Sequence, residues 1–300
     1  MIEQITKPML SGKFDDFDKE SLELTYPLLG TPKLDGIRAL KINGKLVSRA
    51  FKQIKNNYIR DMLERDLPDN IDGELMDIRG WEYTQSSVMT EDGEPDFKYF
   101  VFDIVTDKLS KSYKERMKDL EALDLPDYCV KVLPELIVSH PELLAWEETF
   151  VKEGYEGLML RTPDSVYKCG RGTKKRMDLV KVKRFIDAEA EILGYEEQME
   201  NTNAKEKDNF GRTKRSSAKA GKVGKGTLGR WNVKAINGDF KGVEFGLGTA
   251  KGVTKERRQH WWDIRDELVG KIVTFKYQAA GSVEAPRIPV FKGFRDKDDM

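Results

Sequence analysis

Lys33, in Thr31-Pro32-Lys33-Leu34-Asp35-Gly36-Ile37-Arg38, is read as a nucleophile. Histidine occurs only twice, at His140 and His260, so a histidine triad or a histidine-rich metal site is not expected. Chemistry has to run on Lys, Arg, Asp and Glu. A free lysine, with a pKa of about 10.4, is almost wholly protonated at neutral pH. To attack phosphorus it must shed that proton, which neighbouring cations and partial burial promote. Asp178-Leu179-Val180-Lys181-Val182-Lys183 alternates, so Val180 and Val182 should pack inward while Lys181 and Lys183 share the other face. Those two cations could lower the pKa of Lys33 and hold phosphate oxygens. Arg38, Arg49, Arg161, Arg171 and Arg287 are candidates for bidentate phosphate contacts. Glu74 and Glu156 could bind ribose hydroxyls or hold a Mg²⁺ ion, and Phe102 could stack on a purine.

Taken singly, each has an ordinary structural explanation. Asp-Gly is a common tight turn and surface lysine is abundant. Phe102 alone reads as core, Glu74 as a solvated strand end, Lys181 and Lys183 as a solvated face, and Arg171 as a loop cap. Only the set, in order along one chain, carries weight.

The elements that must position these residues follow from local pattern. Residues 1–29 read as irregular. Residues 37–47 read as two short strands turning at Asn43-Gly44. A helix is expected from Asn57 until Pro68 stops it. Strands are expected at 71–76, with Asp72 and Glu74 on one face, at 98–105, and at 156–161 with Glu156 at its start. Helices are expected over 112–123 and from Ser139-His140-Pro141-Glu142 to about Lys152. Beyond a boundary near 185–188 the pattern turns mostly to strands, at 189–195, 228–236, 240–247 and 271–277, with a hairpin at Asn237-Gly238. One helix, 254–268, interrupts them and ends at Gly270. About five strands and one helix suit a small barrel.

Three hundred residues allow one or two domains with a real core. No apolar run approaches a membrane span and no signal-peptide pattern opens the chain, so a membrane partner is not expected. Cys129 and Cys169 lack metal spacing and should be free thiols. Lys plus Arg balance Asp plus Glu at 52 each, yet residues 204–230 hold nine cations and two anions. That segment is net +7 and the remainder −7. The arm, with Lys205, Lys207, Arg212, Lys214, Arg215, Lys219, Lys222 and Lys225, is rich in Gly and Ser. It points to a polyanion partner, and it should be mobile when free and ordered on a phosphate backbone.

The order K-x-D-G-x-R, S-R, D-G-E, F-x-V-F-D, E-G-L-M-L-R, L-V-K-V-K resembles that of the covalent nucleotidyltransferases. The chain is most similar to ATP-dependent DNA ligases of the minimal viral or phage type, such as those of chlorella viruses. The likeness includes Ser87-Val88-Met89-Thr90, residues 201–211 and Pro286-Arg287-Ile288-Pro289-Val290-Phe291. It implies an α+β fold: a nucleotidyltransferase domain at 1–186, with ATP-grasp-like antiparallel sheets and flanking helices, then an OB-fold β-barrel at 187–300. The arm at 204–230 would be a DNA-clamping hairpin.

The resemblance also implies roles. Lys33 would take up AMP covalently from ATP. The backbone at Thr31 and Pro32 would read the adenine edge and Phe102 would stack on it. Glu74 would contact ribose, Glu156 would place the metal (Mg²⁺, or Mn²⁺ in its stead), and Lys181 and Lys183 would contact the AMP phosphate. Arg49 and Arg171 would hold the 5′-phosphate of a nick, with Arg38 near both nick and AMP. Arg287 would come from the second domain to orient pyrophosphate. The reaction implied is sealing of nicks in duplex DNA, in replication, repair or recombination, by a monomer acting in the cytoplasm or wherever host nucleic acid lies. The other readings are an RNA ligase or mRNA-capping guanylyltransferase with the same lysine, and a non-catalytic OB module. One departure stands out: the family's last motif, R-x-D-K, is here Arg295-Asp296-Lys297, with acid and lysine shifted by one place. No added DNA-binding, zinc-finger or BRCT-like segment is expected.

Overall fold

Short-range signals set the first strands and helices, and pairing between distant segments arranges them. The description rests on a computed structural model and covers residues 3–14, 16–207, 213–216, 218–278 and 284–295. The chain divides into two units, Met1–Lys183 and Arg184–Met300.

In the first unit the strands are β1 (Met9–Leu10), β2 (Gly12–Lys13), β3 (Leu28–Pro32), β4 (Ile37–Ile42), β5 (Lys45–Ser48), β6 (Ile71–Asp77), β7 (Phe97–Ile104), β8 (Cys129–Lys131), β9 (Glu135–Ile137), β10 (Leu158–Arg161), β11 (Gly170–Arg171) and β12 (Val180–Val182). The helices are α1 (Phe17–Glu20), α2 (Asn57–Asp66), α3 (Trp81–Met89), α4 (Tyr113–Ala122) and α5 (His140–Lys152). One five-stranded sheet has the order β5-β4-β6-β7-β8, the other β2-β12-β10-β3-β9.

The local logic is legible. Asn43 and Gly44 take φ of 50° and 71°, the left-handed pair that a two-residue hairpin requires. The Asn56 carboxamide accepts the Ile59 N–H at 2.9 Å and starts α2. Ser112 and Glu115 close a capping box on α4. Ile59, Leu63, Tyr99, Val101 and Leu120 form the core beneath the first sheet, and Leu28, Leu143, Leu158, Val180 and Val182 that of the second. A further cluster, with Met9, Leu40, Ile42, Tyr167 and Leu179, joins residues of β1 and β4 to the segment before β12.

The N-terminal stretch is not irregular throughout. β2 pairs in parallel with β12 and β1 with β11, at the registers Lys13↔Lys181 and Leu10↔Arg171. Two-residue strands carry no periodicity, and their partners lie some 160 positions away, so local pattern could not reveal them.

In the second unit β13 (Phe185–Asn201), β14 (Lys205–Lys207), β15 (Thr213–Arg215), β16 (Lys222–Ala235), β17 (Glu244–Gly248), β18 (Ile272–Gln278) and β19 (Arg287–Arg295) accompany α6 (Lys255–Asp263) and α7 (Arg265–Leu268). A closed barrel runs β13-β16-β17-β19-β18 around Trp231, Val233, Leu247, Phe275, Tyr277 and Phe291. Several sequence expectations shift here. The first strand starts at Phe185 and runs 17 residues, because its first half pairs with β18 and its second with β16. The connection at Asn237-Gly238 extends over residues 236–243, so β17 starts at Glu244 rather than 240. The helix expected over 254–268 breaks at Ile264, whose φ of −101° and ψ of 18° leave the helical region.

The described residues of the arm form more than a bare loop. β13 and β16 stay paired out to Asn201↔Lys222, and β14 and β15 pair antiparallel. Asn203 Nδ2 donates to the Ser216 and Ala218 carbonyls at 3.0 and 2.9 Å, and Thr202 Oγ1 to Gly221 O at 2.8 Å. Lys205, Lys219, Lys222 and Lys225 are exposed. Arg212, the side chains of Lys207 and Lys214, and Asp296 and Lys297 lie outside the described residues.

Candidate active site

A cavity of about 460 Å³ opens in the first unit. It is lined by Thr31, Pro32, Lys33, Arg38, Arg49, Glu74, Phe102, Arg171 and Lys181, together with Leu10, Ser11, Leu34, Met159, Arg161 and Leu179. Its size suits a small-molecule ligand, and six of the fifteen lining residues are ionisable cations.

Lys33 follows β3 directly. Its N–H donates to Gly157 O at 2.8 Å and its carbonyl accepts the Glu156 N–H at 2.9 Å, extending the β3–β10 ladder in which Pro32 faces Leu158. The ladder sets Lys33 beside Glu156, 123 positions away, and the two side chains form an ion pair. Lys183 Nζ donates to the other Glu156 oxygen at 3.0 Å. Burial alone would raise the Glu156 pKa, but Lys33 and Lys183 outweigh it and hold the carboxyl down at about 2. Lys181 faces Met159 across the β10–β12 ladder. Burial, with Lys33 and Lys183 nearby, moves its pKa below the usual lysine value.

The opposite wall comes from β4, β6 and β7. Arg38 and Glu74 are direct cross-strand partners. Glu74 is only half-buried because it borders the opening, yet protein surrounds its carboxyl on the remaining sides. That burial pushes its pKa up to about 7, against the pull of Arg38 and Lys33. Gly36 explains the D-G step. It has no left-handed φ, so it is not the tight-turn glycine expected from the sequence. A Cβ there would lie 2.3 Å from Leu75 O and 2.8 Å from Glu74 Cγ, so the motif's glycine is required for close approach to β6.

Arg38 lines the cavity, but three of its donors are taken. Nε and Nη2 donate to Asp72 at 2.9 and 2.5 Å, and Nη1 donates to Met9 O at 2.5 Å. Tyr167 OH donates to the same carboxylate at 2.6 Å. The guanidinium lies 5.4 Å from the Phe102 ring centroid. Arg38 is therefore a fixed wall more than a free phosphate clamp. Arg49 and Arg171 are exposed at the rim; Arg171 Nη1 also donates to Ser11 O at 2.8 Å. Arg287 opens β19 in the second unit, beside Ile288, whose φ of 49° is costly for a β-branched residue. Arg295 pairs with Glu189 within that unit.

Sequence reasoning missed Asp72, Tyr167 and Asp103 as partners, and Leu10, Ser11 and Met159 as lining. Alternation had set Asp72 on the Glu74 face, which was the one usable signal; Ser11 arrives through the parallel β1–β11 pair and left none.

Nucleotide and metal fit differently. Phe102 and Met159 give the cavity apolar surface, and Lys33 and Lys181 positive charge, as a nucleotide needs. Among the described residues no group of three or more His, Cys, Asp or Glu could hold a metal ion. Glu156 is taken by two lysines. The donor set suits an ion that arrives on phosphates and borrows one or two carboxylates, the usual habit of Mg²⁺. Neither cysteine is in a disulfide, and among the described residues no helix is long and apolar enough to cross a membrane.

Comparison with known proteins gives a family. The model of the ATP dependent DNA ligase domain matches residues 8–183 and that of the DNA ligase OB-like domain residues 221–295. A DNA ligase of African swine fever virus (isolate Warthog/Namibia/Wart80/1980) is 26% identical over 207 residues, 63% of this chain and 49% of the relative. The chain thus spans about half the length of the curated relatives it matches. The crystal structure of chlorella virus DNA ligase–adenylate is 31% identical, with a TM-score of 0.55, covering 97% of this chain and 100% of that one. A structure from a study of Lig E DNA ligases, described as DNA binding with a minimal scaffold, is 26% identical with a TM-score of 0.67, covering 97% and 100%.

Proposed function

This chain belongs to the ATP-dependent DNA ligase family, and from that membership we propose that it seals 5′-phosphate/3′-hydroxyl nicks in duplex DNA through a lysyl-AMP intermediate on Lys33. The observation that carries the reading is the ion pair of Lys33 with Glu156 at the wall of a cation-lined cavity.

In the first step Lys33 Nζ, its proton given up to water, attacks the α-phosphorus of ATP. The bond to the pyrophosphate oxygen breaks and pyrophosphate leaves, and a second N–H proton passes to water to give a neutral phosphoramidate nitrogen. Glu156, ionised across the neutral range, steers the amine, while Lys181 and Lys183 hold the α-phosphate. Glu74 meets the ribose, Phe102 the purine face, and the Thr31-Pro32 backbone its edge. Arg161 lies two residues beyond Met159 on β10, opposite Leu29 and away from Lys33, so its contact is with the nucleoside rather than the phosphates. Glu156 and Glu74 would hold Mg²⁺, whose charge would offset that of the triphosphate.

In the second step an oxygen of the nick 5′-phosphate, held by Arg49 and Arg171, attacks the same phosphorus and the N–P bond to Lys33 breaks. In the third the 3′-hydroxyl attacks the 5′-phosphate and AMP leaves. Arg287 orients pyrophosphate in the first step, and the basic arm of the barrel unit, residues 204–230, grips the duplex.

The test is incubation with labelled ATP or GTP and Mg²⁺, then challenge with nicked duplex DNA. An acid-labile AMP adduct, sealing of the nick, and loss of both in Lys33→Ala are expected. GTP labelling, sealing of RNA alone, or sealing from ATP by Lys33→Ala would overturn the reading.

A further inference from the structure

Behind Arg161 lie two buried charges, Asp103 and Arg116, that the steps above do not use. Asp103 and Arg116 are fully buried, and Arg161 is 5% exposed. Arg116 grips Asp103 with both arms of its fork, Nε to Oδ1 at 2.7 Å and Nη2 to Oδ2 at 3.1 Å. Its third nitrogen, Nη1, donates to Lys111 O at 2.6 Å and Ser165 O at 3.1 Å. Arg116 is thus satisfied on every nitrogen and has no path to the cavity. Arg161 differs. It donates from Nη1 to Asp103 Oδ2, rests 4.2 Å from the Tyr113 ring centroid, and among the described residues has no other hydrogen-bond partner. Arg161 is among the residues that line the cavity, and Arg116 is not.

Two arginines on one buried carboxylate are a poor way to gain stability, since the desolvation of three charges offsets most of the attraction. The asymmetry suggests another use. One guanidinium fixes the carboxylate, and the carboxylate aims the other guanidinium into the ligand space. The strand places that aim. At a rise of about 3.3 Å per residue, Arg161 lies roughly 10 Å along β10 from Leu158, which faces Pro32 beside the nucleophile.

We propose that Arg116 is a positioning residue for nucleotide binding, acting through Asp103 to hold Arg161 against the nucleoside end of ATP. This rests on the nucleotidyl-transfer reading above. Arg116 touches no substrate; its effect passes through one carboxylate and is absent when Arg161 is absent.

The measurement is the ATP dependence of adduct formation by the full chain. Arg116→Lys keeps the charge but loses the fork, so Asp103 gains freedom to turn. Its apparent KM for ATP should rise about ten-fold, the weight of one misaligned charge-assisted hydrogen bond, with the saturating rate within about two-fold. Sealing of a pre-adenylylated nick at saturating DNA, which uses no ATP, should match wild type. Arg161→Met should raise KM at least as far, and adding Arg116→Lys to it should change KM no further.

An unchanged KM, a lower saturating rate at constant KM, or additive effects in the double variant would each overturn the proposal, the second by reducing Arg116 to a structural role. Should Arg116→Lys not fold, Tyr113→Leu removes the ring on which Arg161 rests and should raise KM in the same sense by a smaller factor; an unchanged KM there counts against the proposal equally. Absence of any adduct in the wild-type protein would instead sink the nucleotidyl-transfer reading.

Discussion

Glu74→Gln should stabilise the protein at neutral and alkaline pH while weakening its use of ATP. The carboxyl titrates at about 7 in the folded chain against an ordinary 4.5, and burial is the cause. Because the folded pKa is raised, the folded state binds the extra proton between those values, so stability falls as pH rises from about 4.5 to about 7 and stays low above. The shift of about 2.5 units corresponds to at most about 3.4 kcal/mol at ~1.36 kcal/mol per unit. Solvent reaches the residue through the cavity mouth, so about 1–2 kcal/mol is the reasonable expectation. Glutamine keeps the shape and removes the titration. Urea unfolding of wild type and variant at pH 5, 6, 7 and 8 should therefore show a gap that opens with pH in favour of the variant, smallest at pH 5 and near its full size at pH 8. A parallel adduct assay should show a raised KM for ATP, because the ribose contact proposed for Glu74 is weakened. A stability gap that stays constant from pH 5 to 8, or opens the other way, would refute the claim that this carboxylate is held in the site at a cost.

Three further outcomes follow from the same geometry. Gly36→Ala forces a Cβ to within 2.3 Å of the Leu75 carbonyl, and should cost about 1–3 kcal/mol in urea unfolding and depress adduct formation by displacing Glu74; unchanged stability would contradict the close approach. Replacing Lys219, Lys222 and Lys225 by glutamine should lower the slope of log affinity for nicked DNA against log salt by up to about 3, near 0.9 per lost phosphate contact, and leave adduct formation intact; equal loss of both activities would separate the arm from DNA. Glu156 has a lowered folded pKa of about 2, so its stabilising contribution is present above 4.5 and lost as pH falls towards 2. Glu156→Gln should accordingly lose less stability than wild type between pH 5 and 3, which thermal unfolding in that range can read.

Much of the architecture was legible one segment at a time. Asn43-Gly44 dictates its hairpin, Asn56 and Ser112 start their helices, and the alternation of Val180 and Val182 with Lys181 and Lys183 sorts β12 into a buried and a lysine-bearing face. These are effects of dihedral preference, capping and side-chain period, which act within a few residues. The order of the motifs also named the family, because nucleotide chemistry constrains residue types along the whole chain.

The site itself was decided by pairings across long separations. Lys33 meets Glu156 because Pro32 falls opposite Leu158, and a slip of one residue would turn those side chains to opposite faces. Arg38, read as a phosphate ligand, is largely spent on Asp72 and the Met9 carbonyl, and the Met9 contact depends on an N-terminal segment with no pattern of its own. Gly36 looked like a turn and is a point of contact; Glu74 looked like an ordinary strand acid and carries a proton near neutrality. Sequence sets residue type and local conformation. Register, burial and the field of neighbouring charges exist only once distant strands have paired, and they determine which of these groups can still donate, accept or give up a proton.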